Sequence, residues 1–364
     1  MSDLPKPRPE ILGLRPYVQG KSRLEGSLKP VKLSSNESPY GPSPKALQAY
    51  CDARGTLHRY PDGAQIELRR AIAETHGLGE RQILCGNGSE EIIGLLIRAY
   101  VNAGEELLLS ENHFMMCPIY ARTQGAEVVV APERDFVVCV DALLARVTPQ
   151  TRMVVVANPN NPTGTYLPIH EIRRLHAKLP PRVLLLLDGA YAEYVMQEDY
   201  EAGASLVNAH GNVVMTRTFS KAYGLAGLRI GWAHCPPHVI DVLQRIRTPF
   251  NTNQAALTAA AAAVRDRGFI EDVRQRNHHE LQLILVQLRR LGLRVVPSVT
   301  NFYRVDFADL PGRGAVAATA FLEARGIIPR PLRSDNRDNA LRLTVGTAQE
   351  NEIALDALRA YLES

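Results

Sequence analysis

The sequence predicts an α/β protein: a large domain on a mostly parallel seven-stranded sheet, followed by a smaller α/β C-terminal domain. Three observations predict it. Short apolar runs, several of them Val/Leu-rich, recur at 106–110, 127–131, 153–157, 183–187, 213–216 and 229–235. Several are unbroken, which suits strands covered on both faces. Helical patterns such as 89–100 and 169–178 fall between them, the alternation of a parallel sheet. After residue 250 the texture changes to an alanine-rich helix (254–265) and a long helix (270–291). Strand, strand, helix, strand, strand and a closing helix (351–362) follow. The expected division is an N-terminal arm at 1–44, rich in Pro, Gly and Ser, a large domain at 45–250 and a small domain at 251–364.

Bulk properties narrow the function. The chain has 364 residues, 45% of them hydrophobic, enough for two cored domains. Charged residues make up 22% and the net charge is +4. So mild and scattered an excess argues against a nucleic-acid partner. The five cysteines, Cys51, Cys85, Cys117, Cys139 and Cys235, are widely spaced with no CxxC pair. Neither a disulfide framework nor structural zinc is expected, and a reducing cytoplasm is the simplest setting. The first nine residues lack the apolar core of a signal peptide, and no apolar run approaches the length that spans a membrane. The histidines show no ligand spacing, and the adjacent His278 and His279 point apart on their helix; no metal is expected. Gly312-Arg313-Gly314-Ala315-Val316-Ala317 mimics a dinucleotide fingerprint but reads as a loop before a helix.

The chemistry gathers where strands should end, since ligands of open α/β sheets bind outside the carboxyl ends of the strands. Strand 153–157 runs into Asn158-Pro159-Asn160-Asn161-Pro162-Thr163-Gly164. Strand 183–187 runs into Asp188, with Tyr191 three residues on, and strand 213–216 into Thr218-Phe219-Ser220-Lys221. Arg229 follows Lys221 by eight residues, beyond a glycine-rich turn. A lysine so placed suits a Schiff base to pyridoxal phosphate, whose aldehyde needs an amine and whose phosphate needs a cradle. Asp188 would keep the pyridine nitrogen protonated, and a pyridinium partner would hold the carboxylate ionised against the effect of burial. Tyr191 and Asn161 would bond the ring oxygen. Lys221, once displaced by substrate, would shuttle a proton. Gly86-Asn87-Gly88-Ser89-Glu90-Glu91 precedes an apolar helix, so the amides of Gly88, Ser89 and Glu90 would face the phosphate. Thr218, Ser220 and Arg229 would add hydroxyls and a charge.

With these residues in view, the chain resembles the fold-type-I pyridoxal-phosphate aminotransferases, which share the aspartate-aminotransferase-like fold, and among them the histidinol-phosphate aminotransferase family. The resemblance covers nearly the whole chain. Its elements are Arg15-Pro16-Tyr17, Ser35-Asn36-Glu37-Ser38-Pro39-Tyr40-Gly41-Pro42, Arg59-Tyr60-Pro61-Asp62, the Gly86 to Glu91 turn, Asn161-Pro162-Thr163-Gly164, the Ser220-Lys221 segment and Leu341-Arg342-Leu343-Thr344-Val345-Gly346-Thr347. It implies that Phe114 stacks on the cofactor and that Tyr60 reaches the phosphate from a neighbouring subunit, making a homodimer part of the site. It also implies that Arg342 binds the substrate carboxylate, and that Tyr17, Asn36, Asn161 and Arg330 lie on the substrate side.

The implied reaction is ping-pong amino transfer from L-histidinol phosphate to 2-oxoglutarate. One substrate carries a phosphate ester and the other a carboxylate, and an arginine fork accepts both. Three departures stand out. Gly189 replaces the family's usual glutamate, Cys117 a frequent tyrosine, and Arg333-Ser334-Asp335-Asn336-Arg337-Asp338-Asn339 a stretch that often holds Tyr-Gly. The last two bear on substrate identity more than on reaction type. The same scaffold serves aromatic amino-acid aminotransferases and lyases similar to threonine-phosphate decarboxylase. It also serves as the effector domain of some regulators, but the short arm leaves no room for their DNA-binding domain.

Overall fold

The computed structural model describes residues 5–14, 16–25, 29–307, 310, 313–332 and 339–364. Arg15, Gly312 and residues 333–338 of the sequence motifs lie outside them. Chain order is α1 (Pro9–Leu12), β1 (Val31–Lys32), α2 (Pro44–Ala53), α3 (Ile66–His76), β2 (Ile83–Gly86), α4 (Ser89–Tyr100), β3 (Glu106–Ser110), α5 (Met116–Thr123), β4 (Glu127–Ala131), α6 (Val140–Ala145), β5 (Thr151–Ala157), α7 (Ile169–Lys178) and β6 (Leu184–Asp188). It continues α8 (Ala204–Ala209), β7 (Val213–Thr218), β8 (Gly231–His234), α9 (Pro237–Ile246), α10 (Gln254–Arg265), α11 (Arg267–Arg290), β9 (Arg294–Val295), β10 (Phe302–Asp306), α12 (Ala315–Glu323), β11 (Ile327–Ile328), β12 (Arg330–Leu332), β13 (Ala340–Thr344) and α13 (Ala348–Glu363).

The main sheet has seven strands in the order β2-β8-β7-β6-β5-β3-β4. Its β4–β3, β3–β5, β5–β6 and β6–β7 pairs are parallel, while β8 is antiparallel to both β7 and β2. The leucine run of β6 shows why the sheet needs two cores. Leu185 and Leu187 join one, with Ile172 and Leu175 of α7 and Ala256 and Ala260 of α10. Leu184 and Leu186 join the other, with Ile92 and Leu96 of α4 and Val239 of α9. Successive side chains of a strand point to opposite faces, so a run apolar at every position demands helices on both. Each fully buried leucine contributes roughly 1.5–3 kcal/mol.

The second unit is the four-stranded sheet β12-β13-β10-β9, with a core drawn from α11, α12, α13 and these strands. Packing here departs from the sequence reading in three ways. The alanine face of α10, expected in the small domain, joins the large unit's core. The arm is not wholly extended: it contains α1, and its β1 pairs in parallel with β11, Val31 opposite Ile327, while Leu33 enters the small unit's core. Three strands rather than two lie between α12 and α13, because β11 leaves to meet the arm. Gly314 is the residue before α12, the loop position expected of the fingerprint-like segment. Among the described residues, no helix is long and apolar enough to cross a membrane.

Candidate active site

Parallel register brings the predicted residues together. Ala157, Asp188 and Thr216 are neighbours at the ends of β5, β6 and β7. Asp188 is buried, and its Oδ1 accepts a 3.0 Å hydrogen bond from Thr216 Oγ1. Burial pushes its carboxyl up to about 6, against the Thr216 hydroxyl, the Ala190 amide and the Lys221 charge, which all favour the ionised form. Lys221 stands beyond β7, its Nζ 5.7 Å from the centre of the Tyr191 ring and donating to Ser35 O at 3.1 Å. Burial first, then the Arg342 charge, brings its amine down to about 7. A lysine neutral near pH 7 is a nucleophile rather than a surface charge.

The anion cradle is built by close approach. The first turn of α4 has no side-chain cap, and β8 begins against it. A Cβ on Gly231 would lie 2.2 Å from Ser89 N, and one on Gly88 would lie 2.8 Å from Arg229 Nη2. Gly88 also sits at φ 85°, where glycine is at ease. Arg229, expected within a strand, instead takes a left-handed φ of 55° just before β8. This turn carries its Nη1 back to Ser220 Oγ at 3.4 Å and Ala226 O at 3.1 Å. Thr218 Oγ1 accepts from Ser220 N at 3.1 Å. Uncapped amides, two hydroxyls and a guanidinium thus converge. Glu90 Oε1 accepts from Tyr120 OH at 2.9 Å.

Across the crevice, Arg342 Nη1 donates to Asn161 Oδ1 at 2.6 Å and Nη2 to Ser34 O at 2.9 Å. Its buried Nε has no hydrogen-bond partner. Arg330 is its direct cross-strand partner, with its Cζ 5.9 Å from the centre of the Tyr17 ring and its Nη2 donating to Val18 O. Like charges directly opposite on one face are unfavourable. Burial and Arg330 both press Arg342 below its ordinary value, so this pair is suited to an anion. Asn36 is buried, with Nδ2 donating to Tyr191 OH at 2.9 Å.

Two further residues expected at the site are aromatic. Phe114 is half-buried against the core on the α4 side of the sheet. Tyr60 is 82% exposed and stacked on Phe250 at 4.6 Å, on the surface rather than in this chain's crevice. The sequence reading missed Thr216, Phe302 and the carbonyls of Ser34 and Ser35. Thr216 was legible as the residue in register with Asp188; carbonyl contacts carry no side-chain signature.

The fold and this crevice define a class of transferase. The aminotransferase class I and II family model matches residues 29–358, and the chain belongs to that family. It is 48% identical over 359 residues to the histidinol-phosphate aminotransferase of Nitrobacter winogradskyi, covering 98% of each. It is 48% identical over 358 residues to that of Paramagnetospirillum magneticum, covering 98% of this chain and 99% of the other. A crystal structure of histidinol-phosphate aminotransferase from Sinorhizobium meliloti in complex with pyridoxal-5'-phosphate superposes with a TM-score of 0.91 at 29% identity, covering 100% of this chain and 99% of that one. An aspartate aminotransferase from Thermus thermophilus shares the fold at a TM-score of 0.82 and 21% identity, over 98% and 100% of the two chains.

Proposed function

We propose that the chain is a pyridoxal 5'-phosphate-dependent histidinol-phosphate aminotransferase. It converts L-histidinol phosphate and 2-oxoglutarate to imidazole-acetol phosphate and L-glutamate, a step of histidine biosynthesis. The observation that carries the reading is the convergence of a lysine poised near neutrality, a buried carboxyl and a paired-arginine face on one crevice. The choice of substrate rests on the two relatives at 48% identity.

The residues fit the cofactor. No side-chain cap covers the first amides of α4, and Arg229 reaches the same turn at Gly88, which suits the amides of Ser89 and Glu90 to a phosphate. Asp188, costly to ionise alone, suits a cationic ring nitrogen. When bound, the group supplies a carbonyl that takes up amino groups and a ring that withdraws electrons from the substrate carbon. Ser89, Glu90, Thr218, Ser220 and Arg229 would hold its phosphate, and Gly88, whose own amide donates to Gly86 O at 2.7 Å, would give the turn its close approach. Asp188 holds the ring nitrogen, Tyr191 and Asn161 the ring oxygen, and Phe114 covers a face. Lys221 would anchor it at rest and, once freed, would take up and return the proton at the substrate carbon. The rate at which apoprotein captures the cofactor is expected to rise with pH through about 7 and then level off. A rate still climbing toward 10.5, the value of an ordinary lysine, would show that Lys221 is not the amine engaged.

On the substrate side stand Arg342, Arg330, Tyr17, Asn36 and Asn161. Arg342 takes the glutamate carboxylate in one half-reaction and the phosphate ester in the other. Replacing it by alanine is expected to lower kcat/KM for both substrates by about 10- to 100-fold, the worth of a hydrogen bond to a charged group. A loss confined to one half-reaction contradicts the shared role.

The enzyme is proposed to be a cytoplasmic homodimer, with Tyr60 completing the partner's phosphate cradle. Exposed Leu57, Tyr60, Ile66 and Phe250 support an apolar contact, and five unpaired cysteines suit a reducing compartment. The test is complementation: K221A and Y60A chains refolded together should recover activity that neither has alone. In a mixed dimer, one site keeps its own Lys221 and receives an intact Tyr60. No recovery contradicts a shared site.

A further inference from the structure

Three successive residues of the arm each hold a different site residue. Ser34 O accepts from Arg342, Ser35 O from Lys221, and Asn36 Nδ2 donates to Tyr191 OH. The third contact carries a consequence for proton direction. A phenolic oxygen has one hydrogen to give and two lone pairs. The Asn36 N–H occupies a lone pair, so the phenolic hydrogen is not spent on Asn36. The opposite amide orientation would put an NH2 with two unmet donors where Oδ1 now lies without a partner.

Asn36 is placed for this by its backbone. It lies at φ 55°, in the left-handed region. Its N–H donates to Thr344 Oγ1 at 2.9 Å, and its carbonyl accepts from Asn301 Nδ2 at 2.9 Å. The small unit thus clamps it from β13 and from the residue before β10. Tyr191 itself is wedged edge-on against Phe302 at 5.0 Å. Its other charged or titratable neighbours are Lys221, Arg342 from β13, Asp188 from β6, Tyr17 from the arm and Tyr194 three residues on.

We propose that Asn36 is a positioning residue, which donates to the Tyr191 hydroxyl and so directs the phenolic hydrogen into the crevice as a donor to the cofactor's ring oxygen. This rests on the cofactor reading above. A donor on that oxygen would make it a weaker acceptor, so the pH at which the bound cofactor's visible band changes is kept low.

The test is a pH titration of that band in the wild type, N36G, Y191F and the double variant. Glycine keeps the left-handed backbone and its two clamps while removing the amide. N36G is expected to raise the midpoint by about one unit, in line with a weakened hydrogen bond to a charged oxygen. Y191F should raise it at least as far, and N36G should add nothing in the Y191F background. N36D, which accepts the phenolic hydrogen instead of donating, is a second variant expected to shift the midpoint upward. An unshifted midpoint in N36G and N36D alongside a shifted Y191F overturns the role of Asn36 and leaves the cofactor reading standing. So does an N36G shift that persists undiminished in Y191F. A wild type with no pH-sensitive visible band overturns the cofactor reading itself.

Discussion

Replacing Lys221 by alanine is expected to remove at least about 10⁴-fold of the turnover, because one side chain serves as both covalent anchor and proton carrier. The fold should survive. Lys221 lies beyond the end of β7 and its amine makes one hydrogen bond, to Ser35 O. Removing it deletes a half-buried group whose charge is opposed by desolvation and by Arg342, so thermal stability should hold or rise. The variant should still retain cofactor through the cradle at Gly88, Ser89 and Arg229, without the absorbance of a lysine-bound carbonyl. Stopped-flow turnover and the visible spectrum of the purified variant check both parts. Residual turnover within tenfold of the wild type would place the chemistry elsewhere.

Replacing Asp188 by asparagine is expected to separate stability from function. In apoprotein the Asp188 carboxyl is raised from 3.8 to about 6. The folded state therefore holds this proton more tightly than the unfolded chain. Asp188 costs no stability below pH 3.8, and the cost grows as pH rises to about 6 and stays full above it. The shift corresponds to about 3 kcal/mol as an upper bound. D188N cannot ionise, keeps a hydrogen-bonding oxygen for Thr216, and should melt higher than wild-type apoprotein at pH 7 and no higher at pH 4. With the cofactor the order reverses. An ionised Asp188 facing a cationic ring nitrogen is favourable, and the electron-withdrawing ring needs that charge. D188N should bind the cofactor more weakly and lose at least about 100-fold in kcat, near 2.7 kcal/mol of barrier. Calorimetry of apo and loaded protein at the two pH values checks the sign. Equal melting of the two apoproteins at pH 7 would contradict the buried-carboxylate account.

Much of this site was legible in the sequence because parallel sheets present strand ends in register. The leucine run ending in Asp188 and the Val/Met run ending before Lys221 located two side chains on neighbouring strands, and Asp188 is bonded to Thr216 of the second run. The anion cradle was legible from glycines, which mark places where backbone must approach backbone. What stayed hidden depends on long-range pairing or backbone atoms. The β1–β11 pairing joins residues 31 and 327 through strands of two residues, too short for any periodicity. Helix α10 reads as a generic alanine helix, and only packing assigns it to the large unit. The left-handed turn at Arg229 has no glycine to announce it, and Ser34 and Ser35 act through carbonyls that any residue has. Tyr60 is proposed for the site through family resemblance alone, since its place on this chain is an exposed stack on Phe250.

The most direct test of the central claim is a single-turnover spectrum of the loaded enzyme mixed separately with L-histidinol phosphate, L-glutamate and L-phenylalanine. The account predicts fast loss of the visible band with the first two and slow loss with phenylalanine. Phenylalanine reacting as fast as histidinol phosphate, or no loss with any of the three, would contradict it.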